Sequence, residues 1–436
     1  MPAMTWHRWR MPRGGRRLFP LPPHSQAPLR LVARRRVVHI SGFEPIGPPV
    51  LHRRLTSGLR RFGALWGVRT ECSEPQVSDD KRVVTWQVES VGPNWTTSCH
   101  YTVLRWDELM EPYTNRSWLG RIVHGYKALL ELAFNGTLAR YFRANIRYGL
   151  FFLYPILLLF GFLLLGIAAG IAAAALGVPA APVVAPLVGI AVFVLLLRFL
   201  GAYFYLDFAL ADWAFAADLS RDAVPGLEQV LERFTAEVVA ALRDPDADDV
   251  LLSSVSLGAV MLAEAIDRVY GSEPEADVYF RRAAFLTVGS SILKIGLHPA
   301  AERFRRLVGR VGAEKDLFWA EYQAKVDPIN FYKTDPVAAL GNPSTGRPVV
   351  RQIRIRDMMT DKDYRRAQRS SLHLHRQFVL PNGKRYFYDF YQITFGPIAL
   401  PARVKLGDRV TDLFGRDGQF RPEHSKRKKA NMAAAE

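Results

Sequence analysis

Three residue types spread along the second half of this chain could together perform nucleophilic chemistry. Ser256 sits in the turn Ser254-Val-Ser-Leu-Gly258. Asp327 lies in Ala324-Lys-Val-Asp-Pro-Ile-Asn-Phe331, with Asp335 as the rival carboxylate in Lys333-Thr-Asp-Pro336. His373 and His375 lie in Ser371-Leu-His-Leu-His-Arg-Gln-Phe378. A serine hydroxyl attacks a carbonyl only when a base takes its proton, and an imidazole base needs a carboxylate to fix its tautomer and stabilise its cation. A serine-rich turn ahead of a helix also serves as a plain N-cap, so the motif needs its context.

That context is a set of strands. Asp249 to Leu252 ends in the apolar run of a buried strand, and Gly258 to Tyr270 carries apolar residues at helical spacing (Val260, Leu262, Ala263, Ala265, Ile266, Val269). Strand, sharp turn and helix therefore frame Ser256. Arg36 to Phe43 reads as a strand ending at a glycine turn, followed by a helix over 50–62. Residues 68–73, 82–91 and 97–104 read as strands, the last two paired around Gly92-Pro-Asn94. Later strands are expected at 282–288, 317–323 and 349–355, with helices at 207–219, 227–243, 298–311 and 361–370. Asp327 follows the strand over 317–323, and the histidine pair follows the strand over 349–355. All three residue types thus lie beyond carboxyl ends of strands, the edge at which an open parallel sheet gathers its site. Asp327 is nearer its strand than Asp335 and is preferred. His375 is preferred to His373, which shares its face if the segment is extended.

This arrangement resembles the α/β hydrolases, in which a G-x-S-x-G elbow exposes the nucleophile and the order is Ser, then Asp or Glu, then His. Here the first glycine is Ser254 and the residue before the nucleophile is Val255. The resemblance covers roughly 36–60 and 249–395, and the chain is similar to bacterial membrane proteins with a lipase-like domain. It implies a mostly parallel sheet with helices on both faces, interrupted by an inserted membrane hairpin. It also implies an oxyanion hole from the backbone N–H groups of Leu257 and of the Gly42–Phe43 turn. The implied activity is hydrolysis of an ester or thioester, with an acyl lipid as a candidate substrate, through an acyl-enzyme on Ser256. A hydrolase fold kept as an inactive scaffold or signalling protein is the alternative. His39, alone on its strand, is read as structural.

The remaining features concern placement. The chain has 436 residues, a formal net charge of +17 and two cysteines, Cys72 and Cys99, too few for a disulfide framework. No metal or cofactor motif and no nucleic-acid reader motif stands out. From Tyr148 to Leu197 there is no charged residue, far more than the roughly 20 residues that one helix needs to cross a bilayer. Gly177-Val-Pro-Ala-Ala-Pro182 interrupts the run, so two spans are expected, at 149–174 and 180–199. Arg140, Arg143 and Arg147 precede the first and Arg198 closes the second, while the turn between them has no Lys or Arg. Positive-inside then puts both termini and the hydrolase-like domain in the cytoplasm, and the resemblance implies that the membrane is the inner membrane of a bacterium. The expected segments are a basic leader over 1–35, a first domain part over 36–147, the hairpin over 148–206, a second domain part over 207–415 and a basic tail over 416–436. The oligomeric state is left open.

Overall fold

A computed structural model describes residues 29–177 and 180–422. The basic run Ser425-Lys-Arg-Lys-Lys429 and most of the arginine-rich leader lie outside the described residues. The protein is built on a nine-stranded sheet. Its strands are β1 Arg34–Ile40, β2 Arg69–Cys72, β3 Gln76–Val77, β4 Val83–Gly92, β5 Trp95–Leu104, β6 Asp249–Val255, β7 Ala283–Val288, β8 Phe318–Ala324 and β9 Val349–Ile353. The spatial order is β2-β4-β5-β1-β6-β7-β8-β9, with β3 also paired to β4. The run from β5 to β9 is parallel throughout, and β4 is the antiparallel strand. The hairpin expected around Gly92 is the β4–β5 pair, with Gly92 opposite Trp95.

Strand side chains alternate between the two faces, and each face has its own core. Val38, Ile40, Val250 and Leu252 face one core with the helices Leu206–Leu219, Leu227–Arg243, Gly258–Ser272 and Glu302–Ala313. Val37 and Leu251 face the other, with the helix Pro48–Trp66 and the short helices Phe390–Phe395 and Leu400–Leu406. The central strand β6 is buried along its whole length. Sheet pairing takes up the chain at Arg34, inside the stretch assigned to the leader, because Arg35 is a buried clamp. Its guanidinium donates to Asp249 and to the carbonyls of Ile393, Thr394, Gly396 and Ile398. At the other end the chain stays packed beyond 415: Phe420 is buried, and Trp95 donates to the Gly418 carbonyl at 2.9 Å.

The uncharged stretch forms two helices long and apolar enough to cross a membrane, Ile146–Ala175 and Ala181–Tyr203, the second with a π-helical turn over Leu196–Leu200. In the most apolar window of each, 11% of the residues are buried. A core helix of a water-soluble protein hides its apolar face, whereas Leu157, Phe160, Ile171 and Ile190 are exposed here. Backbone contact between the two helices is close at Gly166, Gly170 and Gly189, where a Cβ would meet a carbonyl oxygen of the opposite helix at 2.8–2.9 Å.

Candidate active site

The turn after β6 has the geometry its sequence suggests. Ser256 has φ of 55°, a left-handed conformation that costs a side-chain-bearing residue free energy and persists only when its surroundings enforce it. Three backbone hydrogen bonds do so. The Ser256 N–H donates to Val288 O at 3.2 Å, and its carbonyl accepts from Ala259 N at 3.1 Å and Ser291 N at 3.0 Å. The neighbours must be small because β1 passes close by. A Cβ on Gly258 would lie 2.3 Å from Ile40 O and 2.6 Å from Ser41 O. One on Gly42 would lie 2.9 Å from Ser256 Cβ. Ser254, the departure from glycine, is accommodated as a fully buried β6 residue opposite Ile40 and Thr287. The loop after β1 therefore rests directly on Ser256, and the Leu257 N–H is among the donors that a helix start leaves without an intrahelical acceptor.

Asp327 and His375 meet. Asp327 is 1% exposed, and its Oδ2 lies 2.7 Å from His375 Nδ1. Its Oδ1 accepts from Ile329 N at 2.9 Å. Asn330 staples this loop to the end of β8, donating to the carbonyls of Ala324 and Asp327 and accepting from Ala324 N. Asp335 is elsewhere: it caps the helical turn Pro336–Ala339, accepting from Val337 N and Ala338 N.

The histidine segment is not extended. Ser371–Arg376 is a short helix with Ser370 as its N-cap. Two residues on a helix point about 200° apart, whereas on a strand they share a face. His375 and Leu374 are turned inward and His373 is exposed. The sequence left open whether this segment is extended, and the Ser370 cap, which accepts from His373 N, decides for a helical turn. The ring of His375 lies against the end of β7, where a Cβ on Gly289 would be 2.9 Å from its Cε1. Its other nitrogen, Nε2, is buried and, among the described residues, has no hydrogen-bond partner. Ser256 Oγ is instead 3.3 Å from Ser291 Oγ.

Ser256, His375, Gly42 and Phe43 line one cavity of about 180 Å³. His39 lines it too, buried, with Nδ1 2.8 Å from Ser253 Oγ. Burial pushes its pKa down to about 4, so it is neutral at pH 7 and suited to the structural part expected of it. Two residues at or beside the site went unassigned from sequence. Ser291, in Gly289-Ser-Ser291, binds both the hydroxyl and the carbonyl of Ser256. Glu321 is buried on β8, and its carboxyl accepts from Thr287 and Ser290 at 2.5 and 2.9 Å. Burial raises its pKa while these hydroxyls oppose the rise. A glutamate on the same face as Trp319 and Gln323, inside a strand that is buried on both faces, was the available signal. Among the described residues, no group of three or more His, Cys, Asp or Glu side chains is placed to hold a metal ion.

Searches of protein-family models, curated proteins and solved structures find no match to this chain.

Proposed function

We propose that this protein is a serine hydrolase of the α/β-hydrolase type, anchored in a membrane by its apolar hairpin. The observation that carries the reading is the buried Asp327–His375 pair: its histidine has a free Nε2 and lines the same cavity as a serine held at positive φ. The reaction requires Ser256 Oγ to leave Ser291 and pair with Nε2, a contact that is commonly long before substrate binds. In the proposed reaction the Oγ–H proton passes to Nε2 as Oγ adds to the carbonyl carbon of an ester or thioester. Asp327 fixes Nδ1 as a donor and stabilises the imidazolium. The N–H groups of Leu257 and of the Gly42–Phe43 turn would donate to the developing oxyanion. The alcohol or thiol departs with the proton from Nε2, leaving an acyl group on Ser256. Water, deprotonated by the same histidine, then releases the acid and restores the serine. The donor loop follows the first strand of this chain rather than the third, the usual place in this fold. Exposure of the apolar faces of both long helices supports insertion, and the flanking arginines favour termini and hydrolase body on the cytoplasmic side of a bacterial inner membrane.

A second reading is a hydrolase fold retained as an inactive membrane scaffold. The observation in its favour is the Ser256–Ser291 contact, which stands where a Ser256–His375 hydrogen bond is required. Labelling of detergent-solubilised protein with a fluorophosphonate separates the two. Wild type is expected to label and Ser256→Ala is not. A folded wild type that stays unlabelled would leave only the scaffold.

A further inference from the structure

The cavity that holds Ser256 and His375 is not closed by the sheet domain alone. Part of its wall is the root of the apolar hairpin: Phe151 and Tyr154 from the first long helix, Phe204 and Tyr205 just past the end of the second, and Phe208 beyond them. Phe204 and Tyr205 are 43% and 42% exposed, so this wall continues onto the hairpin's outer surface. That surface is apolar where it meets the wall, with Leu150 and Leu157 exposed on either side of Phe151 and Tyr154 in sequence. Charge is kept off this side. Asp212, an acid on the same wall, is tied to buried Lys294, which also lies 4.2 Å over the Trp213 ring. Elsewhere the lining is different: Glu44 is fastened to both Arg54 and Arg376, which leaves one unbalanced positive charge at that part of the cavity.

Resting on the serine-hydrolase reading above, we infer that the substrate is an acyl ester resident in the bilayer, whose acyl chain enters sideways along the aromatic wall at Phe151, Tyr154 and Phe204. The physical ground is continuity. A methylene chain that moves from bilayer to cavity along this wall stays on apolar surface, whereas a route through water exposes every methylene at a cost in free energy. Aromatic side chains at the level of the headgroups suit such a mouth. The polar end of the molecule would remain beside Arg54 and Arg376. The wall comes from the same helices that hold the protein in the membrane, so substrate access and anchoring depend on one element.

The test uses the full chain in phosphatidylcholine vesicles with two fluorophosphonates, one carrying an ethyl and one a hexadecyl chain. The ethyl reagent reads the reactivity of Ser256 by itself. The hexadecyl reagent is expected to label at least about 10-fold faster, and Phe204→Asp, at an exposed position, should bring the ratio of the two rates toward one. Tyr154→Asp should do the same. Equal rates in wild type, or a ratio that both aspartate variants leave unchanged, overturn the inference while the serine reading stands. If neither reagent labels, the serine reading fails, and the cavity is read independently by a diazirine-bearing phosphatidylcholine in the same vesicles. Photo-adducts on Phe390 or Val379, which line the cavity from the sheet domain, support entry of the chain. Adducts confined to the outer faces of the hairpin overturn it.

Discussion

Replacing Asp327 by asparagine tests the site at its best-defined contact. The substitution keeps the shape of a side chain that is 1% exposed. In the native protein one carboxylate oxygen accepts from Ile329 N at 2.9 Å and the other faces His375 Nδ1 at 2.7 Å. An amide cannot do both. With its oxygen kept on Ile329, its NH₂ faces Nδ1 and forces the ring proton onto Nε2, the nitrogen that must accept from Ser256. With the amide reversed, NH₂ meets the Ile329 N–H, and two donors oppose each other in a buried place. Either way the base has the wrong tautomer or a broken support. The same swap in other Ser-His-Asp sites costs about 10⁴-fold in rate, or about 5 kcal/mol of barrier. Loss of a buried hydrogen bond to a charged group costs about 1.5–3 kcal/mol of stability. For a domain of ordinary stability that leaves most molecules folded, so an unfolded fraction cannot account for a 10⁴-fold effect. The assay is the second-order rate of fluorophosphonate labelling, with thermal unfolding of the same preparation beside it. His373→Asn and Asp335→Ala serve as comparators. The first alters an exposed ring. The second removes a helix cap at a cost of about 1 kcal/mol. Both should label within about 3-fold of wild type. An Asp327→Asn protein that labels as fast as its comparators would refute the reasoning, because the Asp327–His375 pair would then be structural.

Two further outcomes follow from the same geometry. Gly258→Ala puts a methyl 2.3 Å and 2.6 Å from the backbone oxygens of Ile40 and Ser41 at the end of β1, where about 3.3 Å is the ordinary carbon–oxygen contact. The helix gains about 1 kcal/mol in propensity, but strand and helix must part by about 1 Å. A net loss of at least about 2 kcal/mol in denaturant unfolding is expected, and a stabilised variant would contradict the close approach. His39 titrates in the folded protein at about 4, below its free value of 6.5. Between those pH values the unfolded chain binds the extra proton, so stability is full above pH 6.5 and falls as the pH drops toward 4. The loss amounts to about 3 kcal/mol. His39→Asn should flatten that dependence by the same amount, and an unchanged slope between pH 4 and 6.5 would assign the acid sensitivity to other groups.

The sequence alone determined the features that depend on local patterning. The uncharged run from Tyr148 to Leu197 is long and apolar enough to set two long helices by itself. The strand–turn–helix at Ser256 was legible because an apolar run, a small-residue turn and a helical period follow one another without interruption. Asp327 was legible by its position just beyond a strand. The tertiary structure decided what depends on packing between distant segments. It separated His375 from His373, since a capped helical turn points them apart and one of them packs against the Gly289 turn. It brought Ser291 against Ser256 and Glu321 against the neighbouring Ser290 through the parallel pairing of β6, β7 and β8, which no local pattern reports. It also put aromatic residues from the hairpin root and the serine of β6 around one cavity. These lie more than a hundred residues apart at one side of the hairpin and about fifty at the other. Sequence periodicity names the face of an element, but which faces meet is settled by how the whole chain buries its apolar surface.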